Sequence, residues 1–261
     1  MEKKRVKQIL SYVLLLWIIT NIFGLSIRKA PTQVLVTNEV EMITGDIDTQ
    51  TPKEFSTTTT TVNLQPQISS DYREIYDYDI NTLLQNIANL VIDDSSIYIG
   101  GYERSEFGGW TDPDKDCQNT RHEILIRTSQ VEVVFSDSDE CRVIYGLWYD
   151  PYTNKEYEDA YKDIEIDHFV PLKNAYISGA HEWSEERKKE YSTYTSYEYH
   201  LLAVNSGANS DKSAKGPEEW LPVNTNFHCA YINIWVEIKI FWELSVTTEE
   251  FTTLDKISKN C

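Results

Sequence analysis

The stretch Ile164-Glu165-Ile166-Asp167-His168-Phe169-Val170-Pro171-Leu172 decides the reading of this chain. Its first half reads as a short strand that ends at Asp167-His168, with Pro171 just beyond. A carboxylate beside an imidazole at a strand end sets a metal ligand next to a general base. After a second short apolar strand, His200-Leu201-Leu202-Ala203-Val204, comes Asn209-Ser210-Asp211-Lys212. The amide offers a further oxygen to a metal, and the lysines offer charge to an anion. Together these are the parts needed to hydrolyse a phosphodiester.

Working outward, Ile80, Leu83, Leu84, Ile87, Leu90 and Val91 recur at helical spacing, with Asp79 or Asn81 as the cap. Strands are expected at Glu123–Ile126, Val131–Phe135 and Cys141–Trp148, separated by glycine-rich and acidic turns. From Leu172 to Tyr191 the pattern is helical, with a start at Ser184-Glu185-Glu186-Arg187. Asn205 to Gly207 reads as a turn, and a helix follows from about Ala208. A long amphipathic helix is expected from about Phe227 to Leu244. Thr247-Thr248-Glu249-Glu250 has capping-box spacing and opens the last helix.

The N-terminus carries Lys3, Lys4, Arg5 and Lys7 ahead of an uncharged stretch from Gln8 to Ile27. A basic segment before an apolar one is a signal peptide or, if uncleaved, a signal anchor, so residues 1–29 are assigned to targeting. Either way the remaining chain is expected outside the cytosol, secreted or on the extracellular side of a membrane. If the segment is uncleaved, membrane contact comes through it alone. Residues 30–70, with the threonine run Thr57 to Thr61, read as a linker. Residues 71–261 are the folded domain.

Cys117, Cys141, Cys229 and Cys261 contain no CxxC pair, which argues against zinc, and they suit an oxidising compartment. Of three possible pairings, Cys117–Cys141, across a strand pair, and Cys229–Cys261, tying the last residue to a preceding helix, are favoured. The net charge of −18, from 24 basic and 42 acidic residues, opposes loose binding to phosphate backbones. A nuclease must then concentrate its positive charge locally and complete its site with a cation.

The order strand, turn, strand, helix around Asp167-His168, His200 and Asn209 resembles the ββα-metal finger of the HNH (His-Me finger) endonuclease superfamily. Within it, the chain is similar to secreted HNH nuclease-like proteins related to the C-terminal domain of GmrSD-type restriction enzymes. The resemblance rests on Asp167-His168-Phe169-Val170-Pro171-Leu172, on Ser178-Gly179-Ala180 with Trp183, and on Asn209, Lys212, Lys215-Gly216-Pro217 and Trp220-Leu221-Pro222. Upstream, Tyr102, Arg104, Phe107-Gly108 and Trp110 fit as well. So do Cys117 with Thr120-Arg121, Gly146 with Trp148 and Asp150-Pro151-Tyr152, Cys229 with Tyr231, and Cys261.

The resemblance implies an α+β fold: a ββα-metal core embedded in a disulfide-supported mixed domain. It implies that His168 is the general base, that Asp167 and Asn209 hold a divalent metal, Mg²⁺ or Mn²⁺, and that DNA, or RNA too, is cut with little sequence specificity. His200 holds the middle signature position and is counted with the catalytic residues, with bracing of the loop as its favoured role. Lys212, Lys215 and Arg121 are candidates for phosphate contact. No protein partner is implied. The competing expectation is a non-catalytic extracellular module, binding nucleic acid or purely structural, that keeps the fold. His122 and His228 read as structural, Arg187-Lys188-Lys189 as a solvated helix face, and the cluster Tyr191, Tyr194, Tyr197, Tyr199 as packing.

Overall fold

A computed structural model of the protein describes residues 78–261. The segments read as targeting (1–29) and linker (30–70) lie outside the described residues. Helix α1 (Ile80–Ala88) starts at Asp79, whose carboxylate accepts the Thr82 backbone N–H. Helix α2 (Thr120–Thr128) follows, and then a three-stranded antiparallel sheet β1-β2-β3 (Val134–Phe135, Val143–Asp150, Lys155–Asp159). Strands β4 (Ile164–His168) and β5 (Leu201–Asn205) form a second antiparallel pair, with His168 opposite Leu201 and Asp167 opposite Leu202. Their connection carries helices α3 (Leu172–Ile177) and α4 (Glu185–Ser192). Helix α5 (Ser206–Lys212) leaves directly from β5, and α6 (His228–Phe241) and α7 (Thr248–Ser258) complete the chain. Among the described residues no helix is long and apolar enough to cross a membrane.

Three expectations are corrected. Glu123–Ile126 is not a strand but the middle of α2. A run of three apolar residues is the same in a buried strand and a buried helix, and local capping decides: Asn119 accepts from His122 N, and Glu123 sits in the positive first turn. Asn205 is the N-cap of α5, its side chain accepting Ala208 N, so that helix begins at Ser206, earlier than expected. The α6 helix is not amphipathic; Ala230 to Val236 are buried without interruption. A helix apolar on every side belongs inside a core.

The β4-β5 pair lies between two cores. Side chains alternate across a strand, so Ile164, Ile166, Leu201 and Ala203 pack with Ile124, Leu125, Val143 and Trp148. The other face, with Leu202, Val204 and then Phe169, joins the larger core built on Tyr231, Ile232 and Trp235 of α6. Asp167 and His168 therefore point to opposite faces of the same strand. Inside the larger core, Lys239 Nζ is buried against Asn174 Oδ1 and Ser178 Oγ, both at 2.8 Å, and Glu250 at 3.3 Å. Thr247 caps α7 by accepting Glu250 N, as expected. The Glu250 carboxylate does not return to the cap but takes Lys239 and the Trp235 indole N–H.

Both favoured disulfides are present, Cys117–Cys141 and Cys229–Cys261. Cys117 sits in the loop before α2 rather than on a strand, so its bridge ties that loop to the turn between β1 and β2. Closing loops of this length stabilises a fold by about 3 to 4 kcal/mol each in the chain-entropy picture.

Candidate active site

A cleft of about 350 Å³ opens where β4 ends, lined by Tyr102, Arg104, Asp167, His168, Lys173 and Asn209 among others. His168 is buried, and its ring stacks face to face on Trp110 at 5.2 Å and 4°. Its Nε2 lies 2.9 Å from the Ser192 carbonyl oxygen. A carbonyl only accepts, so Nε2 carries the proton and Nδ1 keeps the lone pair in the neutral ring. Burial pushes the His168 pKa down to about 3, with the charges of His200, Arg104 and Lys212 adding to the effect. The ring is therefore neutral throughout the physiological range.

His200 is not part of the cleft lining. It is buried among Tyr191, Tyr194 and Trp242, and its Nε2 donates to the Tyr191 carbonyl at 2.7 Å. Its buried Nδ1 has no hydrogen-bond partner among the described residues. The two imidazoles thus hold consecutive carbonyls, Tyr191 and Ser192, at the C-terminal end of α4, where helix carbonyls lack partners of their own and where the dipole is negative.

Asp167 is also buried. Its Oδ2 accepts the Tyr152 hydroxyl at 2.7 Å, and Lys212 Nζ stands 3.0 Å from Oδ1 and 2.8 Å from Oδ2. Tyr152 is set in place by an Asx turn: Asp150 accepts the N–H groups of Tyr152 and Thr153. Burial pushes Asp167 up and Lys212 down, and the charge of each opposes the other's shift.

Lys212, expected at the phosphate, is instead fully buried, with a further bond from Nζ to the His168 carbonyl at 3.1 Å. The N-cap at Asn205 starts α5 early and turns this residue inward. Arg121 spends its guanidinium on the carbonyls of Ala160 (2.7 Å) and Ile164 (3.0 Å), clamping the approach to β4. Lys215 donates to the Asp211 carbonyl and does not line the cleft. In the run Arg187-Lys188-Lys189, Lys188 is buried on Glu106 and departs from the solvated face expected, while Arg187 and Lys189 stay at the surface in pairs with Glu243 and Glu185.

Asn209 lines the cleft from α5, and its Nδ2 donates to Glu165 at 2.7 Å, which leaves Oδ1 as an acceptor. The oxygens of Asp167 and Asn209 suit a hard divalent cation. Oδ1 of Asp167 accepts one hydrogen bond and retains a lone pair, so the donor set fits such an ion. Because Lys212 already supplies Asp167 with a counter-charge, such an ion would be held weakly. Among the described residues, three candidate acidic ligands converge only at Asp112, Asp114 and Asp116, and none of these lines the cleft.

The residue that sequence reasoning passed over is Arg104. It appeared only as one letter of the upstream resemblance, yet it is exposed and stands on the cleft wall. No spacing rule would have linked it to a strand some sixty positions later.

Residues 120–256, a little over half of the chain, match the model of the family described as GmrSD restriction endonucleases, C-terminal domain. The chain belongs to this family. It is also 33% identical over 162 residues to an uncharacterized secreted protein of Arthroderma benhamiae (strain ATCC MYA-4681 / CBS 112371), covering 62% of this chain and 76% of that protein. No solved structure gives a significant match. Membership of the GmrSD C-terminal domain family makes a nuclease-related role the starting point for the cleft, and all of Asp167, His168, Asn209 and Lys212 fall within the matched residues.

Proposed function

We propose that the protein is a divalent-metal-dependent endonuclease that hydrolyses phosphodiester bonds of DNA, or of RNA as well, with little sequence specificity, and that β4, β5 and α5 are its ββα-metal (HNH, His-Me finger) unit. One observation carries the reading. His168 is held by its Nε2–H on the Ser192 carbonyl, so that Nδ1 offers a lone pair, on a cleft whose walls also hold Asp167 and Asn209.

His168 is the general base and takes a proton from the attacking water at Nδ1. The Ser192 carbonyl and the Trp110 face fix the plane of the ring, so the tautomer does not have to be selected at each turnover. Asp167 and Asn209 would hold Mg²⁺ or Mn²⁺, which when bound polarises the scissile phosphate and steadies the leaving oxygen. Lys212 and Tyr152 orient the Asp167 carboxylate, and His200 braces the end of α4 from outside the cleft. The two disulfides and the secreted relative support a place outside the cytosol.

The test is nicking of supercoiled plasmid by the full chain, disulfides intact, with Mg²⁺, Mn²⁺ or EDTA, beside His168→Ala. Metal-dependent nicking that disappears in a folded His168→Ala variant is the expected result. A wild-type protein that cuts neither DNA nor RNA with any metal would leave the non-catalytic module.

A further inference from the structure

The cleft needs a cation facing solvent, because a phosphodiester is anionic and the chain carries a net charge of −18. The basic residues expected to meet it are engaged elsewhere. Lys212 is buried on Asp167, Arg121 is bound to two backbone carbonyls, and Lys215 reaches the Asp211 carbonyl.

Three hollows converge beside His168. The first, of about 350 Å³, includes Asp167, His168 and Asn209. The second, of about 240 Å³, lies between Trp110, His168 and Ser192. The third, of about 330 Å³, lies between Trp110, Arg121, Glu165 and Asn209. His168 borders the first two, Trp110 the last two, and Asn209 the first and third. Arg104 borders all three.

We propose that Arg104 is the phosphate-binding residue of this site, gripping the substrate backbone as it passes from one hollow to the next. This rests on the nuclease reading of the cleft. A planar guanidinium gives two parallel N–H donors to a phosphate, which a lysine does not.

The position of Arg104 is built rather than incidental. It opens the short 3₁₀ turn Arg104–Phe107, whose Phe107 is fully buried against Tyr191. Glu106 of the same turn pairs with the buried Lys188, and the Phe107 carbonyl accepts the Ser192 hydroxyl at 2.6 Å. Ser192 is also the residue whose carbonyl holds His168. The base and the phosphate cation are thus referenced to one residue, so they keep their relative position while Arg104 itself stays exposed on the wall beside Tyr102. Lys173 lines only the first hollow and adds diffuse charge there.

The experiment measures binding without cleavage. The full chain in EDTA is titrated with a fluorescein-labelled DNA duplex, and with the corresponding single strand, at several salt concentrations. Wild type, Arg104→Gln, Arg104→Lys and Lys215→Gln are compared. Losing one phosphate contact lowers the slope of log K against log salt by about 0.9 for duplex or about 0.7 for single strand.

Arg104→Gln is expected to lose roughly that slope and roughly tenfold in affinity. Arg104→Lys keeps the slope and loses part of the affinity, and Lys215→Gln matches wild type. A purely structural role for Arg104 would not change the salt slope. Binding by wild type with an unchanged slope in Arg104→Gln overturns the assignment of Arg104 and leaves the nuclease reading standing. Absence of any nucleic-acid binding by wild type overturns the assignment of Arg104, and the nicking assay decides the nuclease reading separately.

Discussion

Replacing Lys212 by methionine removes one ammonium while keeping most of the side chain's length and apolar body. In the native structure that ammonium is fully buried and meets both Asp167 oxygens, at 3.0 and 2.8 Å, and the His168 carbonyl. Without it, Asp167 keeps only the Tyr152 hydroxyl. Breaking a buried pair by deleting one partner costs about 3 to 5 kcal/mol, because an uncompensated charge is left in a low-dielectric site.

Lys212 is also the main influence holding the Asp167 pKa down against desolvation, so in the variant this carboxyl moves further up. A carboxyl whose folded pKa lies above its unfolded value binds more protons folded than unfolded. The Lys212→Met deficit should therefore be largest at neutral pH and shrink as pH falls through that raised folded pKa. Urea unfolding followed by tryptophan fluorescence at pH 7.5 and pH 5 measures this. Asp167→Asn combined with Lys212→Met, which removes both charges, should recover more than half of the loss, giving a coupling energy in a double-mutant cycle. A Lys212→Met protein within about 1 kcal/mol of wild type at pH 7.5 would mean that the pair is not formed as described, since that is the range of a surface ion pair.

EDTA should leave the melting temperature of wild type unchanged in a thermal scan, because Lys212 already supplies Asp167 with its counter-charge; a clear drop would show that a metal is part of the folded structure. His200, buried and held near a pKa of about 4 by desolvation, takes up its proton in the unfolded chain near 6.5 and not in the folded one. Stability is then complete above pH 6.5 and falls by about 1.4 kcal/mol per pH unit as pH drops toward 4. His200→Asn should remove about one proton's worth of that slope in urea titrations across the window, and an unchanged slope would count against the burial of a neutral ring.

The short strand ending at Asp167-His168 was legible because a two-residue period needs only a few positions to declare itself, and the strand after it because a short continuous apolar run fits a strand buried on both faces. The capped starts at Asp79, Ser184 and Thr247 were legible for a similar reason, since the cap and the group it binds are three residues apart. What escaped was decided by distant chain. The three apolar residues Ile124–Ile126 fit either element until the Asn119 cap is weighed. Lys212 looked like a surface lysine, and only the approach of α5 to β4 shows that it is enclosed. Lys188 was hidden in a basic run in the same way, its partner Glu106 being remote in sequence. Arg104 enters the site because a 3₁₀ turn docks on α4, and no local pattern records that docking.

The two imidazole contacts at the end of α4 bear on how portable this site is. The β4 and β5 strands are not joined by a tight turn; residues 169–200 lie between them, and the carbonyls that orient His168 and His200 belong to that connection. The paired strands and their helix are thus not a cassette that can be lifted out alone. A graft that shortened the connection would carry over the Asp-His pair and the asparagine but lose the carbonyl that selects the histidine tautomer. The smallest transferable unit runs from β4 through α4 to α5, and variation within the family is expected to spare the backbone at Tyr191 and Ser192 even where side chains around it change.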